Sequence, residues 1–575
     1  MANSPINLPD SKEKLVPKAL EVIAECRVSA GHRAAQAKMI DMIIDSGRAD
    51  PTGPPSKIPL LYGHLDRTAS MLFSPSSLRF SIDYESEYDE KTIERGNVAA
   101  RVVTRGFERW SADMTFSQGV FTSLKYGATI LKQWVEQADD EKLPILRNAL
   151  VMPWQFGVYR EDMNDLDRQP AMTESFLLTM PEVWRRIYHL PNAEKLFERI
   201  KTHAEKGAGA NEYLGAFHNV LSTNTLQNTS QSAMRPGGIV SMSGMNTYGS
   251  QGPQVAPPMV IMHELWVQEE NDYTTVQIIE PDILIAPIFK KTNLLVPGGD
   301  TGLHPYQFIQ PNITHGNIWG RPEIYDMIQM QNWLSTTVDD TERLLGIQFD
   351  KFLGYNGDEI PDEKYAQMRQ GGTFNVSAGA NITDLTPKFP PEALPMIQMQ
   401  IGLLENIGGF DNMLSGKGES GVRSGSQAAQ LMKTSTPRMR DRSLLVERQC
   451  AEAGDLMLSL MQAKDGRNYW TDPNKPQETS FLLGDLPDDR RVVVAQHSAS
   501  PIFQDDHQQA IAYGVSRGFI DGHSAIELMN MPSKDMLQRR LKDKEIAQAK
   551  QMADLKQSDP EAYAKLLEKQ GGRHR

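Results

Sequence analysis

The most regular spacing of hydrophobic residues lies in the second half of the chain. From Arg321 to Phe349, apolar residues recur at separations built from threes and fours, which lines them along one stripe of an α-helix. Pro322 suits the first turn of that helix. A shorter apolar helix is predicted from Glu392 to Ile407, and the residues between the two contain several glycine and proline turn signals. The pattern therefore predicts two helices joined by a compact, turn-rich block.

The residues that follow the shorter helix change character abruptly. The stretch SGKGESGVRSGS begins at Ser415 and is dominated by glycine and serine, which predicts a loop with wide backbone freedom. A long helix is then predicted from Ser426 to Ala463. Pro437 interrupts it, removing one backbone hydrogen bond and crowding the preceding turn, so a kink is expected there.

The first 320 residues mix both kinds of secondary structure. Helices are predicted at 13–47, 90–110 and 181–206, the last with a break at Pro191, and the C-terminal hundred residues are predicted to be mainly helical. Strands are predicted at 127–137, 148–162 and in the run that follows Met259. Residues 221–258 are rich in Ser, Asn, Gln and Gly without any period, which predicts a long irregular insert. The fold class expected from these elements is α+β, mainly helical.

Composition limits the classes of protein that this chain can be. With 575 residues it should form several domains or one large layered body, and its 39% apolar content is ordinary for a soluble protein. It has no run of eighteen apolar residues and no secretory signal pattern at the N-terminus, so neither a membrane span nor export is expected. Two cysteines cannot form a disulfide scaffold or a four-cysteine zinc site, and their scarcity fits a reducing compartment.

The net charge of −13 bears on nucleic-acid partners. A protein that coats DNA should be basic, so the charge argues against that class. It leaves open a protein that surrounds DNA without gripping it, because an acidic wall repels phosphate and keeps contacts weak.

Known catalytic and metal-binding motifs fit the chain poorly. Gly416-Lys417 lacks the preceding glycine and the following hydroxyl of a phosphate-binding P-loop, and the glycines at 416, 418 and 421 lie between helices instead of after a strand. His263-Glu264 has valine where the second histidine of a zinc motif belongs. The start of a helix is a better interpretation than a cation site for Asp505, Asp506 and His507. We expect a protein that is not an enzyme and that has no cofactor and no metal.

Two groups of basic residues remain. Lys417 and Arg423 lie in the glycine-rich loop, where contact with a passing polyanion is one hypothesis. Others follow on the long helix, where a solvated face with some salt bridges is the favoured interpretation: Lys433, Arg438, Arg440, Arg442 and Arg448.

The order of these elements resembles that of the portal proteins of tailed bacteriophages, the ring-shaped head-tail connectors. The stretches HGNIWGRPEIYDMIQMQNWLSTTVDD and GVRSGSQAAQLM are similar to the start of that family's first stem helix and to the end of its tunnel loop. The resemblance is strongest from His315 to Ala463. It implies the following division: an N-terminal wing at 1–320 with the insert at 221–258, a first stem helix at 321–349, a clip at 350–391, a second stem helix at 392–408, a tunnel loop at 409–425, a long kinked wing helix at 426–464, and C-terminal wing and crown helices at 465–575.

The resemblance also implies a function. Portal proteins form rings, usually of twelve subunits, at one vertex of the virion capsid after assembly in the host cytoplasm. Double-stranded DNA passes through the central channel, and the ring contacts the major capsid protein, the terminase large subunit and later a head-tail adaptor or tail proteins. On this resemblance Lys417 and Arg423 would line the DNA channel. The alternatives are another oligomeric virion scaffold or head-tail adaptor, and an ATP-driven packaging motor subunit, which the missing P-loop disfavours.

Overall fold

The computed structural model describes part of the chain. The described residues are 6, 8–9, 11–46, 58–137, 144–206, 259–269, 272–286, 303–350, 353–356, 381–384, 388, 390–409, 437–471, 476–500 and 511–519, with single positions at 525, 537, 540, 541 and 544. Their helices are α1 (Lys12–Cys26), α2 (Ala30–Ser46), α3 (Leu61–Leu72), α4 (Glu90–Arg109), α5 (Ala112–Tyr126), α6 (Met180–Ile187), α7 (Ala193–Lys206), α8 (Ile328–Asp350), α9 (Ala393–Ile407), α10 (Pro437–Lys464) and α11 (Pro476–Thr479). Their strands are β1 (Phe80–Tyr84), β2 (Thr129–Gln137), β3 (Ile145–Val151), β4 (Phe156–Val158), β5 (Ala171–Thr179), β6 (Met259–Glu269), β7 (Asp272–Ile279), β8 (Ile283–Ala286), β9 (Tyr306–Ile309), β10 (Leu353–Asn356), β11 (Asn381–Asp384), β12 (Tyr469–Trp470), β13 (Ser480–Phe481) and β14 (Arg490–Val494).

The largest sheet is antiparallel and has the strand order β4-β5-β6-β7-β8. Alternate residues of a strand point to opposite faces of the sheet, and β6 has buried residues on both faces. Leu265 packs on one face with Val22 and Ile23 of α1, while Met262 packs on the other with Val183 of α6. The sheet is thus covered by helices on both faces.

A second core forms around α10. It is shared by α3, α4, α5 and the three-stranded sheet β3-β2-β9, whose strands are all antiparallel to their neighbours. α10 is tied to this core by polar contacts as well: the Gln449 side chain exchanges hydrogen bonds with the backbone of Gln310, and Ser443 donates to the Leu72 carbonyl. Strand β14 also pairs antiparallel with β1, so parts of the chain that are far apart in sequence belong to the same folded unit.

α8 and α9 form a separate helix pair. Gln400 Nε2 donates to Thr337 Oγ1 at 2.9 Å in the middle of the two helices, and Gly408 after the end of α9 lies near Met327 just before the start of α8. The two helices therefore run antiparallel. Between them along the chain, β10 and β11 form an antiparallel pair in the predicted turn-rich block.

Most predicted elements are present, and the fold class is α+β as predicted. The helix predicted at 90–110 is α4, with Asp89 as its cap accepting from the Thr92 backbone N–H at 3.2 Å. The predicted break at Pro191 separates α6 from α7. Strands predicted at 127–137 and after Met259 are β2 and β6 to β8.

Three predictions need correction. The helix expected at 13–47 is two helices, because the chain turns at residues 27–29. The helix expected from Arg321 begins at Ile328, since the Glu323 backbone N–H donates to the Leu124 carbonyl and a 3₁₀ turn, Tyr325–Met327, intervenes. The strand expected at 148–162 is two strands, β3 and β4, because the chain turns at residues 153–155. Most of the C-terminal hundred residues lie outside the described residues, so their mainly helical character stays a prediction, although the described part contains strands β13 and β14. The insert at 221–258, the loop from 410 to 425 and residues 501–510 lie outside the described residues.

Candidate functional site

The predicted channel residues Lys417 and Arg423 lie outside the described residues. The structure does describe the two positions that flank residues 410–436, which are Gly409 after α9 and Pro437 at the first residue of α10. The candidate site built here is therefore the place where α9, α10 and the start of α8 meet. We call it the helix junction and define it by His64, Asn312, Glu323, Gly408 and Arg442.

Different elements bring these residues together. His64 is on α3, Glu323 lies just before α8, and Arg442 is in the second turn of α10. Glu323 is the centre: Arg442 Nη2 donates to its Oε2 at 2.8 Å, and Asn312 Nδ2 donates to the same oxygen at 2.8 Å. His64 Nε2 lies 3.7 Å from its other oxygen, an ion-pair distance that exceeds a good hydrogen bond.

The junction is buried and its charges are compensated. The Glu323 side chain is 2% exposed and that of Arg442 is 10% exposed. Burial by itself would raise the pKa of Glu323, but His64, Arg442 and Asn312 lower it, and the net result is a pKa of about 2. Glu323 is therefore ionised at neutral pH, and it ties α10 to the segment that leads into α8.

The end of α9 reaches the same place. Gly408 is so close to the His64 ring that a Cβ added there would lie 2.5 Å from His64 Cε1. Glycine is required by this contact, because any side chain would displace the ring. Gly409 follows with φ +74°, a left-handed conformation that glycine adopts without strain. Gly408 near the end of α9 and Arg442 near the start of α10 thus lie around the same buried His64–Glu323 contact.

Sequence reasoning missed this junction and misjudged one of its members. Arg442 was expected on a solvated helix face, but it is buried against Glu323 because α10 packs against α3 and the segment before α8. Arg448 does fit that expectation, pairing with Glu452 across an exposed helix turn at 3.3 Å. The kink at Pro437 stays a prediction, since residues 426–436 lie outside the described residues. No local signal links positions 64, 323 and 442.

The helix pair has a different surface. Gln331 anchors α8 by donating to the Ile58 carbonyl at 2.9 Å, yet much of the pair is not covered by the described chain. Its exposed apolar side chains are Trp333, Leu345, Leu394, Met396, Met399, Leu403 and Ile407. An uncovered apolar surface of this kind is typical of a protein-protein contact.

A second buried ionic cluster joins the two largest sheets. Lys132 Nζ on β2 lies 2.6 Å from Glu174 on β5 and 2.8 Å from Glu264 on β6, and Tyr306 on β9 donates to both carboxylates. Burial would lower the pKa of Lys132, but the two carboxylates raise it above its ordinary value, so the ammonium stays charged. Because these four groups form ion pairs and hydrogen bonds with one another in the core, we interpret the cluster as a structural link between the two sheets.

A third cluster has the order of a hydrolase triad. Ser175 Oγ lies 2.7 Å from His263 Nδ1, and His263 Nε2 lies 3.4 Å from Glu280 Oε1. Ser175 is wholly buried between neighbouring strands, so a substrate cannot reach its hydroxyl. Burial lowers the pKa of His263, which keeps the imidazole neutral in a structural hydrogen-bond chain.

The described part of the chain also has features that bear on metal, thiol and membrane chemistry. No group of three or more His, Cys, Asp or Glu side chains there is arranged to hold a metal ion. Cys26 and Cys450 are both buried free thiols, and burial raises the pKa of Cys26 to about 12. No helix among the described residues combines the length and the apolarity that a bilayer crossing needs.

Comparisons with known proteins give similarities in structure but not in sequence. No family model matches the chain, and no curated protein matches it in sequence. Among solved structures, it is similar to a chain in the neck of a native GTA particle computed with C12 symmetry, at 9% identity and a TM-score of 0.37. The match covers 85% of this chain and 97% of that one. At this TM-score the similarity supports no argument about the function of this chain.

Proposed function

We propose that this chain is a portal-type head-tail connector, a ring-forming protein of a phage-like virion that conducts double-stranded DNA and does no chemistry of its own. Its partners would be identical copies, the major capsid protein, the terminase large subunit and head-tail adaptor or tail proteins. Lys417 and Arg423 would line the channel, and no cofactor would be needed.

The helix pair carries the proposal. Its two helices are separated along the chain by a block that contains the strand pair β10 and β11, which fits the stem, turn-rich clip and stem that the sequence resemblance implies. Several apolar side chains of the two helices are exposed among the described residues. Burying apolar surface stabilises association by about 25 cal/mol per Å². Neighbouring copies in a ring would cover these side chains, whereas a monomer leaves them in water.

The helix junction supports the same role. Gly408, two residues before the stretch 410–436, lies beside the His64 ring, and Arg442, six residues after it, pairs with buried Glu323. The described residues on either side of that stretch are therefore held in the body of the protein. The acidic net charge of −13 and two loop cations would keep contact with DNA weak and sensitive to salt.

Native mass spectrometry and negative-stain images of the full chain test the proposal. We expect closed rings of about twelve copies with a central hole, because a head-to-tail contact generates a ring when the rotation between neighbouring copies closes. The variant K417Q/R423Q should assemble equally well and retain less duplex DNA at low salt. A monomer, a filament or a shell fragment would contradict the proposal, and a monomer with ATPase activity would favour the motor alternative.

A further inference from the structure

The charge on the exposed face of α4 changes from negative to positive along the helix. Glu90 and Glu94 lie near its start, and Arg101, Arg105 and Arg109 follow at intervals of one turn toward its end. We call these three residues the arginine stripe. All three are exposed, while the opposite side of α4 is buried through Ala99, Val103 and Phe107, among others.

The arginine stripe is not neutralised by its surroundings. Among the described residues none forms an ion pair with Arg101, Arg105 or Arg109, and Arg101 Nε donates to the Asn97 carbonyl at 3.3 Å instead. Glu108 lies nearby but is engaged by Arg79 at 3.5 Å. Like charges one turn apart destabilise a helix by about 0.2–0.5 kcal/mol per pair. The stripe therefore has a small cost within the isolated chain.

The helix dipole accounts for only part of this arrangement. Cations stabilise a helix when they lie in its last turn, because the effect falls off within one turn of the end. Arg109 meets that condition, whereas Arg101 and Arg105 lie before the last turn. Arg101 and Arg105 therefore have neither an ion-pair partner among the described residues nor stabilisation by the helix dipole.

The other end of α4 is an exposed acidic cluster. We call it the acidic end and define it by Glu85, Glu87, Glu90, Glu94 and Asp488. The pairing of β1 with β14 brings Asp488 and its neighbour to the same place, since the Glu85 backbone N–H donates to the Asp489 carbonyl at 3.4 Å. Lys91 and Arg491 are also exposed there. Arg95 lies over the Phe481 ring, and Arg490 donates to the Pro487 carbonyl. The five acids of the acidic end outnumber these four cations.

The two ends are too far apart to neutralise each other. The nearest two members, Glu94 and Arg101, are seven residues apart, which is about 10 Å at 1.5 Å per residue, and Arg109 lies about 22 Å from Glu94. Charges on exposed side chains are largely screened beyond about 8 Å at physiological salt. The acidic end and the arginine stripe can meet closely only when they belong to different molecules.

We propose that the arginine stripe of one copy docks against the acidic end of the next copy, a head-to-tail contact between identical chains. The two surfaces are different and complementary, so the contact is heterologous and can close into a ring. It rests on the ring of the proposed function and specifies a contact for it outside the helix pair. Exposed pairs are individually weak, so several must act together to set orientation and register.

Charge reversal on the full chain tests the docking, with native mass spectrometry and sedimentation velocity as readouts. The variants R101E/R105E/R109E and E85R/E87R/E94R should each lose at least tenfold in the fraction of rings, because like charges then face each other. Mixing the two variants in equal amounts should restore rings with alternating subunits, since every contact is again between opposite charges. A control, K14E/R185E/K195E, reverses three exposed cations on α1, α6 and α7 and should assemble normally.

Each failure has its own meaning. Absence of rings from the unaltered chain contradicts the proposed function, whereas rings that persist in both reversal variants overturn the docking alone. Loss of rings in each variant without rescue on mixing would show that the two surfaces do not meet, and would also overturn it. A stripe variant that assembles normally but retains less duplex DNA would assign the stripe to DNA instead.

Discussion

α9 and α10 are two helices at the same junction with opposite surroundings. α10 is enclosed: Val446, Cys450, Met457 and Leu460 are almost inaccessible to solvent. α9 buries Ala393, Gln400 and Leu404, while most of its remaining apolar side chains are exposed. Both helices are rich in leucine and methionine, so composition alone does not separate them.

The difference shows where each helix finds its partners. α10 lies in the middle of a core built from elements that come before and after it in the chain. Its apolar side chains are therefore buried by contacts within one molecule. α9 contacts α8 along one side and leaves the other side uncovered by the described chain. The described fold buries α10, whereas the outer face of α9 is left uncovered by the described residues.

Breaking the buried ion pair at the junction should give the largest loss of stability. In the variant E323Q, Arg442 keeps its charge in a buried place but loses its carboxylate, which costs about 3–5 kcal/mol. The midpoint of chemical unfolding of the full chain measures it. E452Q removes a partner from the exposed Arg448 pair on the same helix and should cost no more than about 1 kcal/mol. Equal losses in the two variants would contradict the view that α10 is anchored internally.

The same pair predicts a dependence on pH. The pKa of Glu323 is lowered from 4.5 in the unfolded chain to about 2 in the folded chain, so its stabilisation is complete above pH 4.5 and is lost as pH falls toward 2. The full contribution is about 3 kcal/mol at 1.36 kcal/mol per pKa unit.

Comparison with E323Q isolates that contribution from all other titrating groups. The stability advantage of the unaltered chain over E323Q should shrink by about 2 kcal/mol between pH 7 and pH 3. An advantage that stays constant over this range would show that the folded-state pKa of Glu323 is not lowered.

Local patterns predicted the elements better than their assembly. Asp89 and the residues after it specify α4, and the β-branched runs specify β2 and β6, because caps and side-chain periods are properties of short segments. The pairing of Phe80 with Val494 joins segments more than four hundred residues apart, and no local signal encodes it. The burial of Arg442 likewise depends on Glu323 and His64, which come from other parts of the chain.

Two leucines on α9 give a matched test that includes the smallest expected effect, that of Leu394→Ala. Leu404 is 2% exposed and Leu394 is 59% exposed, so the same substitution by alanine samples the covered and uncovered sides of one helix. Leu404→Ala leaves a cavity and should cost about 2–5 kcal/mol in the free energy of unfolding. Leu394→Ala should cost no more than about 0.5 kcal/mol in the isolated chain, as surface substitutions do. If neighbouring copies cover α9, Leu394→Ala should nevertheless weaken ring formation in native mass spectrometry. Rings that form as readily with Leu394→Ala as without it would mean that this side of α9 faces solvent in the assembly, and the contrast between α9 and α10 would then need another cause.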